Sequence, residues 1–387
     1  MLVFSSVTCY SILILTYSNL IHRKEVIFAM SIEIKKTAPI IDVFALDHGY
    51  GAMKTSTGIT FPTDIIPAQD QVFGTSLNDM GRIIYSDEKN GQYFIGEFAK
   101  IQIEANPKLV PLQEKLNEMY FRTEQYKMTM LTAIAASFPE LETLGIRTFV
   151  TGLPNAFWKQ YHIELAERFE GEHRFTVTIG DKTREMKVAI KTAHVIPQPY
   201  GTLCFYGYDN RGDVSNEFVL EQKVGIIDFG FYTTDIQLTD KLIGIPQSSA
   251  SLTNENETVS QSYLAIQKKV LQDTGKTIVL QTMRERIEQG KTVYYEDGRM
   301  KSYDLKPIIH EVFEKMAQKV IDRTIALWKN YDLEYIILTG GGSAIPELVE
   351  PFKHMYGENL LLASELNIDP VYANVYGYAN FGHMMTN

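Results

Sequence analysis

Two segments of the chain set a carboxylate, a glycine turn and further polar groups at matching intervals. The first is Asp47-His-Gly49-Tyr-Gly51-Ala-Met-Lys54. Glycines at a strand end let backbone N–H groups approach phosphate oxygens with no Cβ in the way. Lys54 can add positive charge there. Asp47 can organise Mg²⁺, mostly through the ion's waters, because Mg²⁺ gives up hydration reluctantly. The second segment, Asp228-Phe-Gly230-Phe-Tyr-Thr233-Thr234-Asp235, has the same logic with hydroxyls added. Either turn alone is also an ordinary hairpin. Together they can clamp one phosphate chain from two sides.

Two more constellations fit that chemistry. Leu338-Thr-Gly340-Gly341-Gly342-Ser343 puts consecutive glycines after a buried-type strand, which offers a flat backbone surface to a base or a phosphate. A tight strand–helix turn explains the same residues. Val195-Ile-Pro-Gln198-Pro-Tyr-Gly201 carries one amide on a proline-flanked loop. Glutamine can orient and polarise an attacking water but cannot take its proton as a full base. Other chemistries find no support. The eight histidines lack metal-ligand spacing. There is no Gly-x-Ser-x-Gly and no Gly-x-x-x-x-Gly-Lys-Ser/Thr. The aromatic pairs Phe231-Tyr232 and Tyr294-Tyr295 read as packing before base stacking.

The elements that must position these residues follow from pattern. Ile40–Leu46 is rich in β-branched residues and enters the first turn as a strand. Gly58–Pro62 is expected to return as its hairpin partner. Val224–Asp228 repeats that arrangement before the second turn. Tyr93–Ala99 contains a strand end. Glu118–Phe138 is predicted as one helix ending before Pro139. Arg147–Val150 is a strand, and Phe175–Ile179 and Val188–Ile190 bracket a turn. Val259–Gln272, Thr282–Glu288 and Ile308–Trp328 carry helical spacing. Val293–Tyr295 and Met300–Tyr303 form a hairpin around Glu296-Asp-Gly298. Glu334–Leu338 is a buried strand. The repeated strand–turn–strand start implies a duplicated architecture: two mixed α/β domains facing each other across a cleft.

At 387 residues the chain has room for two or three domains, at roughly 150 residues each. Its 45% apolar and 22% charged residues support a sizeable core and exclude wholesale disorder. A net charge of −10 argues against direct, sequence-independent binding to nucleic acid. Two cysteines, Cys9 and Cys204, cannot make a disulfide framework, which fits a reducing, cytoplasmic setting. Met1–Met30 reads as an over-extended start or a flexible extension, with the working protein beginning near Met30. A weak membrane anchor and an amphipathic partner-binding helix are the alternatives. The segment lacks the charge that precedes a signal peptide's apolar run, and it is too interrupted for a membrane span.

In order and spacing, these turns resemble those of the actin-like ATPases. Asp47…Lys54 is similar to the family's first phosphate loop and Pro197-Gln198-Pro199 to the connecting loop with the catalytic polar residue. Asp228…Asp235 is similar to the second phosphate loop, Thr339–Ser343 to the adenosine loop, and Ala373–Gly382 to the helix returning to the first domain. Tyr93–Ala99 and Gly58–Pro62 resemble the ParM/StbA-type bacterial actins, which form filaments and segregate plasmids. The resemblance implies two actin-like (ribonuclease H-like) domains with mixed β-sheets flanked by helices and a nucleotide cleft between them. Residues 38–205 with 373–387 would form domain I, and 206–372 domain II. It further implies ATP or GTP with Mg²⁺. Asp47 and Asp228 would organise the metal, and Gln198 would serve catalysis beside them. Gly49, Gly51, Lys54, Gly230, Thr233, Gly340, Gly341, Gly342 and Ser343 would line the nucleotide. Glu285 and Lys291, with Arg284, would lie near base and ribose. Expected partners are further copies of the chain and a DNA-binding adaptor on a plasmid centromere, with no membrane. Tyr50, Phe231 and Gln198 depart from the family pattern of a small polar residue, a glycine and a ParM-type glutamate. A small-molecule (sugar) kinase of the same superfamily and a non-motile scaffold filament are the alternatives. The kinase would need a carboxylate where Gln198 stands.

Overall fold

A computed structural model describes residues 38–70, 81–106, 109, 117–254, 257–296, 301–366 and 368–386. The expectations for Met1–Met30 and for the turn of the 293–303 hairpin lie outside the described residues. The chain starts with strands β1 (Ile40–His48), β2 (Ala52–Thr55), β3 (Thr60–Pro62), β4 (Ile65–Pro67), β5 (Ile83–Asp87) and β6 (Gly91–Ile95). Helices α1 (Glu97–Ala105) and α2 (Glu124–Ser137) follow, then β7 (Thr143–Leu153), α3 (Asn155–Phe169), β8 (Gly171–Ile179) and β9 (Lys182–Pro197). These nine strands make one mixed sheet in the order β3-β2-β1-β7-β9-β8-β5-β6-β4.

After α4 (Gln198–Gly207) and α5 (Glu217–Glu221) come β10 (Lys223–Phe229), β11 (Thr234–Asp240), β12 (Ile243–Gly244), β13 (Ala250–Leu252), α6 (Val259–Thr274) and α7 (Leu280–Glu288). The hairpin β14 (Val293–Glu296)–β15 (Lys301–Asp304) leads into α8 (Lys306–Trp328), β16 (Tyr335–Thr339), α9 (Pro346–Tyr356), β17 (Leu360–Leu362) and α10 (Ala373–Thr386). The second sheet runs β12-β11-β10-β16-β17, with β13 also on β11.

The duplication is visible in the ladders. β1 pairs antiparallel with β2 and parallel with β7. β10 pairs antiparallel with β11 and parallel with β16. Central strands covered on both faces need near-continuous apolar runs. Phe44–Leu46 and Val224–Ile227 are such runs, buried throughout. Each sheet has its own apolar core, one around Phe44, Phe149 and Phe169, the other around Phe229, Phe313 and Phe352.

Three local expectations are corrected. The partner that folds back on β1 is β2, closed directly by the glycine turn, while Thr60–Pro62 is the third strand of a meander. The helix expected over 118–138 is interrupted: a 3₁₀ turn spans Asn117–Arg122, and α2 begins afresh because the Thr123 hydroxyl caps it, accepting from the Tyr126 N–H at 3.2 Å. Gln198 is not in a loop but is the first residue of α4, where Pro199 is tolerated because no intrahelical N–H bond is due there.

One histidine in this framework makes a measurable acid liability. His173 on β8 is buried, its Nε2–H donates to Phe169 O at 2.7 Å, and burial, helped by Lys127, pushes its pKa down to about 4. The folded chain therefore holds it neutral, while the unfolded chain protonates it below about 6.5. Its contribution is complete above that pH and drains away as pH falls toward 4, by about 2 kcal/mol at pH 5. Urea unfolding at pH 7 and pH 5 is expected to show a smaller loss for His173→Gln, which keeps a donor for Phe169 O.

Candidate active site

The first turn sits where β1 crosses to β2. The register sets Asp47 opposite Lys54, and the two form a largely buried ion pair, Nζ to Oδ2, at 2.8 Å. Gly49 makes this possible: a Cβ there would lie 3.2 Å from Lys54 Nζ and 3.0 Å from Ala52 O. The turn closes through Gly49 N–H to Ala52 O at 3.1 Å. His48 anchors it from behind. Its ring stacks on Tyr126 at 4.1 Å, and Nε2 lies 2.9 Å from Thr129 Oγ1. Because the Thr129 hydroxyl donates to Tyr126 O at 2.8 Å, it accepts from His48 Nε2–H. Burial holds that imidazole neutral, with its pKa pushed down to about 3. The second carboxylate oxygen of Asp47, Oδ1, is buried and has no hydrogen-bond partner.

The second turn repeats the geometry with a different charge balance. Its register sets Asp228 opposite Asp235, two carboxylates rather than an ion pair. Burial first, then Asp235, and also Asp47, push the Asp228 pKa up to about 7; Asn374 and Lys54 oppose the shift. Asp47 and Lys54 thus act on Asp228 from the opposite turn. Asn374 at the start of α10 donates Nδ2–H to Asp228 Oδ2 at 2.6 Å. Its Oδ1 accepts from the Thr202 N–H at 3.2 Å and from Thr202 Oγ1 at 2.7 Å. Thr202 Oγ1, its proton used there, accepts from Thr339 Oγ1 at 2.8 Å. One buried relay thus joins Asp228 to both helices, α4 and α10, that connect the sheets.

Asp235 does something else. Pro154, which precedes α3, gives the helix no side-chain cap of its own. Its first N–H, at Asn155, donates to Asp235 Oδ1 at 3.0 Å, and the next, at Ala156, donates to Ser251 Oγ at 3.0 Å. A helix on the first sheet is therefore capped by residues of the second. Ser251 Oγ also donates to Asp235 Oδ1. Across the cleft, Tyr50 of the first turn meets Tyr232 of the second edge to face, ring centroids 5.6 Å apart.

Two protein-family models match the sequence: the N-terminal domain of actin-like proteins over residues 45–201, and the C-terminal domain of the archaeal MreB-like actin homologue over residues 226–350. The chain belongs to the actin-like proteins. Solved actin-like structures share its fold. The apo ParM of pSK41 is 18% identical, with 90% of this chain and 99% of that one covered and a TM-score of 0.65. A 15-stranded ParM filament from Clostridium botulinum is 22% identical, with 88% and 99% covered and a TM-score of 0.67. Ta0583, an archaeal actin homologue in complex with ADP, is 20% identical, with 88% and 98% covered and a TM-score of 0.66. No curated protein matches this chain. Among the described residues, no helix of this actin-like protein is long and apolar enough to cross a membrane.

The actin-like framework brings most of the expected residues to the ends of the central strands. Gly340, at φ 78°, passes so close to the second turn that a Cβ would lie 2.2 Å from Asp228 Oδ1. Gly342 is buried against Phe229, and Gly341 and Gly51 are exposed. Ser343 turns inward, its Oγ donating to Gly340 O at 2.7 Å, so it closes the glycine turn. Thr233 is buried beside Gly230 and hydrogen-bonds Asp235. Gln198 follows the end of β9, whose last residue Pro197 pairs with Leu153 of β7. Glu285 on α7 reaches Lys100 of α1 at 3.9 Å across the cleft, and Arg284 lies over the Phe231 ring at 4.4 Å. Lys291 is exposed just beyond α7. The roles of Asn374, Thr202 and Asp235 escaped the sequence reading; two amides, Asn374 and Asn380, inside the otherwise apolar Ala373–Gly382 run were the available signal.

The residues fit a hard divalent cation that arrives with phosphate oxygens and water. Asp47 Oδ1 is a buried carboxylate oxygen with an unused lone pair, and Asp228 supplies a second acidic group. Among the described residues no group of three or more His, Cys, Asp or Glu can cage a metal alone. That donor set suits Mg²⁺, which keeps waters and bridges to phosphate, better than a zinc or calcium site.

Proposed function

We propose that this actin-like protein binds ATP or GTP with Mg²⁺ between its two sheets and hydrolyses it. On this reading it polymerises with copies of itself, and the filaments segregate plasmid DNA through a DNA-binding adaptor held at the plasmid centromere. Domain I would comprise residues 38–205 with 373–387, and domain II residues 206–372. The observation that carries the reading is the meeting of the two turns, one from each sheet, through Tyr50 and Tyr232, with Gly340 packed against Asp228. The ADP complex of Ta0583 and the ParM filament, both of the same fold, support it. The net charge of −10 assigns DNA contact to the adaptor, and a cytoplasmic setting suits it.

Mg²⁺, when bound, supplies positive charge to the phosphate oxygens. The chain's own residues do the rest. Asp47 and Asp228 would hold that ion through its waters. Lys54, steadied on Asp47, faces the phosphates. Gly230 and Gly340 keep the backbone close, and Gln198 orients the attacking water through its amide.

Sedimentation and phosphate release test the reading together. Polymer is expected to pellet when ATP and Mg²⁺ are added above a critical concentration and not with EDTA, and phosphate release is expected to follow assembly. No sedimentable polymer with any nucleotide overturns the filament role. Polymer without phosphate release overturns the enzymatic one.

A further inference from the structure

We propose that Tyr50 and Tyr232 form an aromatic clasp that closes the phosphate end of the cleft and sets how fast nucleotide leaves, an inference that rests on the nucleotide site proposed above. The two rings belong to turns on different sheets. They meet at 5.6 Å and 74°, the edge-to-face arrangement that aromatic quadrupoles favour. Each is braced from behind. The Tyr50 carbonyl accepts from the buried Thr63 hydroxyl at 2.7 Å, within a turn already closed by Gly49. Tyr232 leans on Phe231 at 4.8 Å and 85°. Phe231 in turn lies under the Arg284 guanidinium at 4.4 Å, which Glu288 holds at 2.7 Å. The contact therefore links the first turn to the second and the second to α7.

A phosphate chain gripped between these turns can leave only when the turns part, and parting them breaks the clasp. Among the described residues the two halves also meet where Asp235 and Ser251 cap α3, and where Lys100 reaches Glu285, a partly solvated pair, with Glu285 half exposed, that holds weakly. The aromatic pair is the contact made by the two turns themselves, so its loss should show in how fast they part. Side chains that only line the site would change affinity independently; a clasp makes the two tyrosines one unit.

Stopped-flow displacement of a fluorescent N-methylanthraniloyl ATP, with Mg²⁺, from the full chain tests this. Tyr50→Ala and Tyr232→Ala are each expected to speed dissociation about five-fold, the factor an edge-to-face pair supplies. Tyr50→Phe, which keeps the ring, is expected to retain the parent rate. The double alanine variant is expected to be no faster than either single one. Unchanged dissociation in either alanine variant, or additive effects in the double, overturns the clasp while leaving the nucleotide site standing. Failure of the parent chain to bind the analogue overturns the proposed function and the clasp with it.

Discussion

Asp228→Asn is expected to lower phosphate release from ATP about 100-fold or more, the usual scale for removing one preorganised group that faces developing charge. The substitution is isosteric, so the Asn374 Nδ2–H keeps an oxygen to donate to and the relay to Thr202 survives. What goes is the carboxylate charge to which the proposed function assigns the metal's waters. The same substitution separates this loss from misfolding. Burial and Asp235 raise the Asp228 pKa to about 7, so the folded chain disfavours the ionised form. The stability linked to that group is full below the unfolded aspartate pKa and is lost as pH rises through about 7. At pH 8, without nucleotide, Asp228→Asn is therefore expected to melt at the parent temperature or above it. Turnover within about three-fold of the parent would remove Asp228 from the reaction.

How much of this was legible before the structure depended on sequence separation. Asp47 to Lys54 and Asp228 to Asp235 span the same interval, and one hairpin register brings the members of each pair opposite one another. Local pattern sufficed there, as it did for α6, α8 and the parallel strand β16. It failed where the deciding partner is remote. Nothing near Pro154 announces that α3 is capped by Asp235 and Ser251 from another sheet. Nothing near Asn374 shows that it divides its amide between Asp228 and Thr202. Gln198 was misread for a local reason: prolines on both sides suggested a loop, though proline at a first helical turn is a start signal. Thr123 is a similar case, a capping hydroxyl hidden inside a continuous helical pattern.

The largest stability effect is expected from Gly377→Ala. Helix α4 packs Leu203 against Val224, Ile226 and Ile337 of the second sheet. Helix α10 packs Val375 and Tyr378 against Ala45 and Val150 of the first. The two helices cross with their backbones in contact. A Cβ on Gly377 would lie 1.6 Å from Gly201 O, and one on Gly201 would lie 2.3 Å from the Tyr378 ring and 2.7 Å from Asn374 O. These obstacles are backbone and a buried ring, so the helices must move apart as units. That separation pulls Asn374 off Thr202 and leaves buried donors unpaired. Overpacking of about 1–3 kcal/mol and the broken hydrogen bonds together point to about 4 kcal/mol in urea unfolding. Gly145→Ala makes the control, since a Cβ there meets only Ile40 at 3.7 Å, and it is expected to change stability by about 0.5 kcal/mol or less. Equal effects at the two positions would mean that the crossing is not the tight joint between the sheets. A Gly377 effect accompanied by loss of nucleotide affinity would place that joint and the Asp228 site in one cooperative unit, as the Asn374 relay requires.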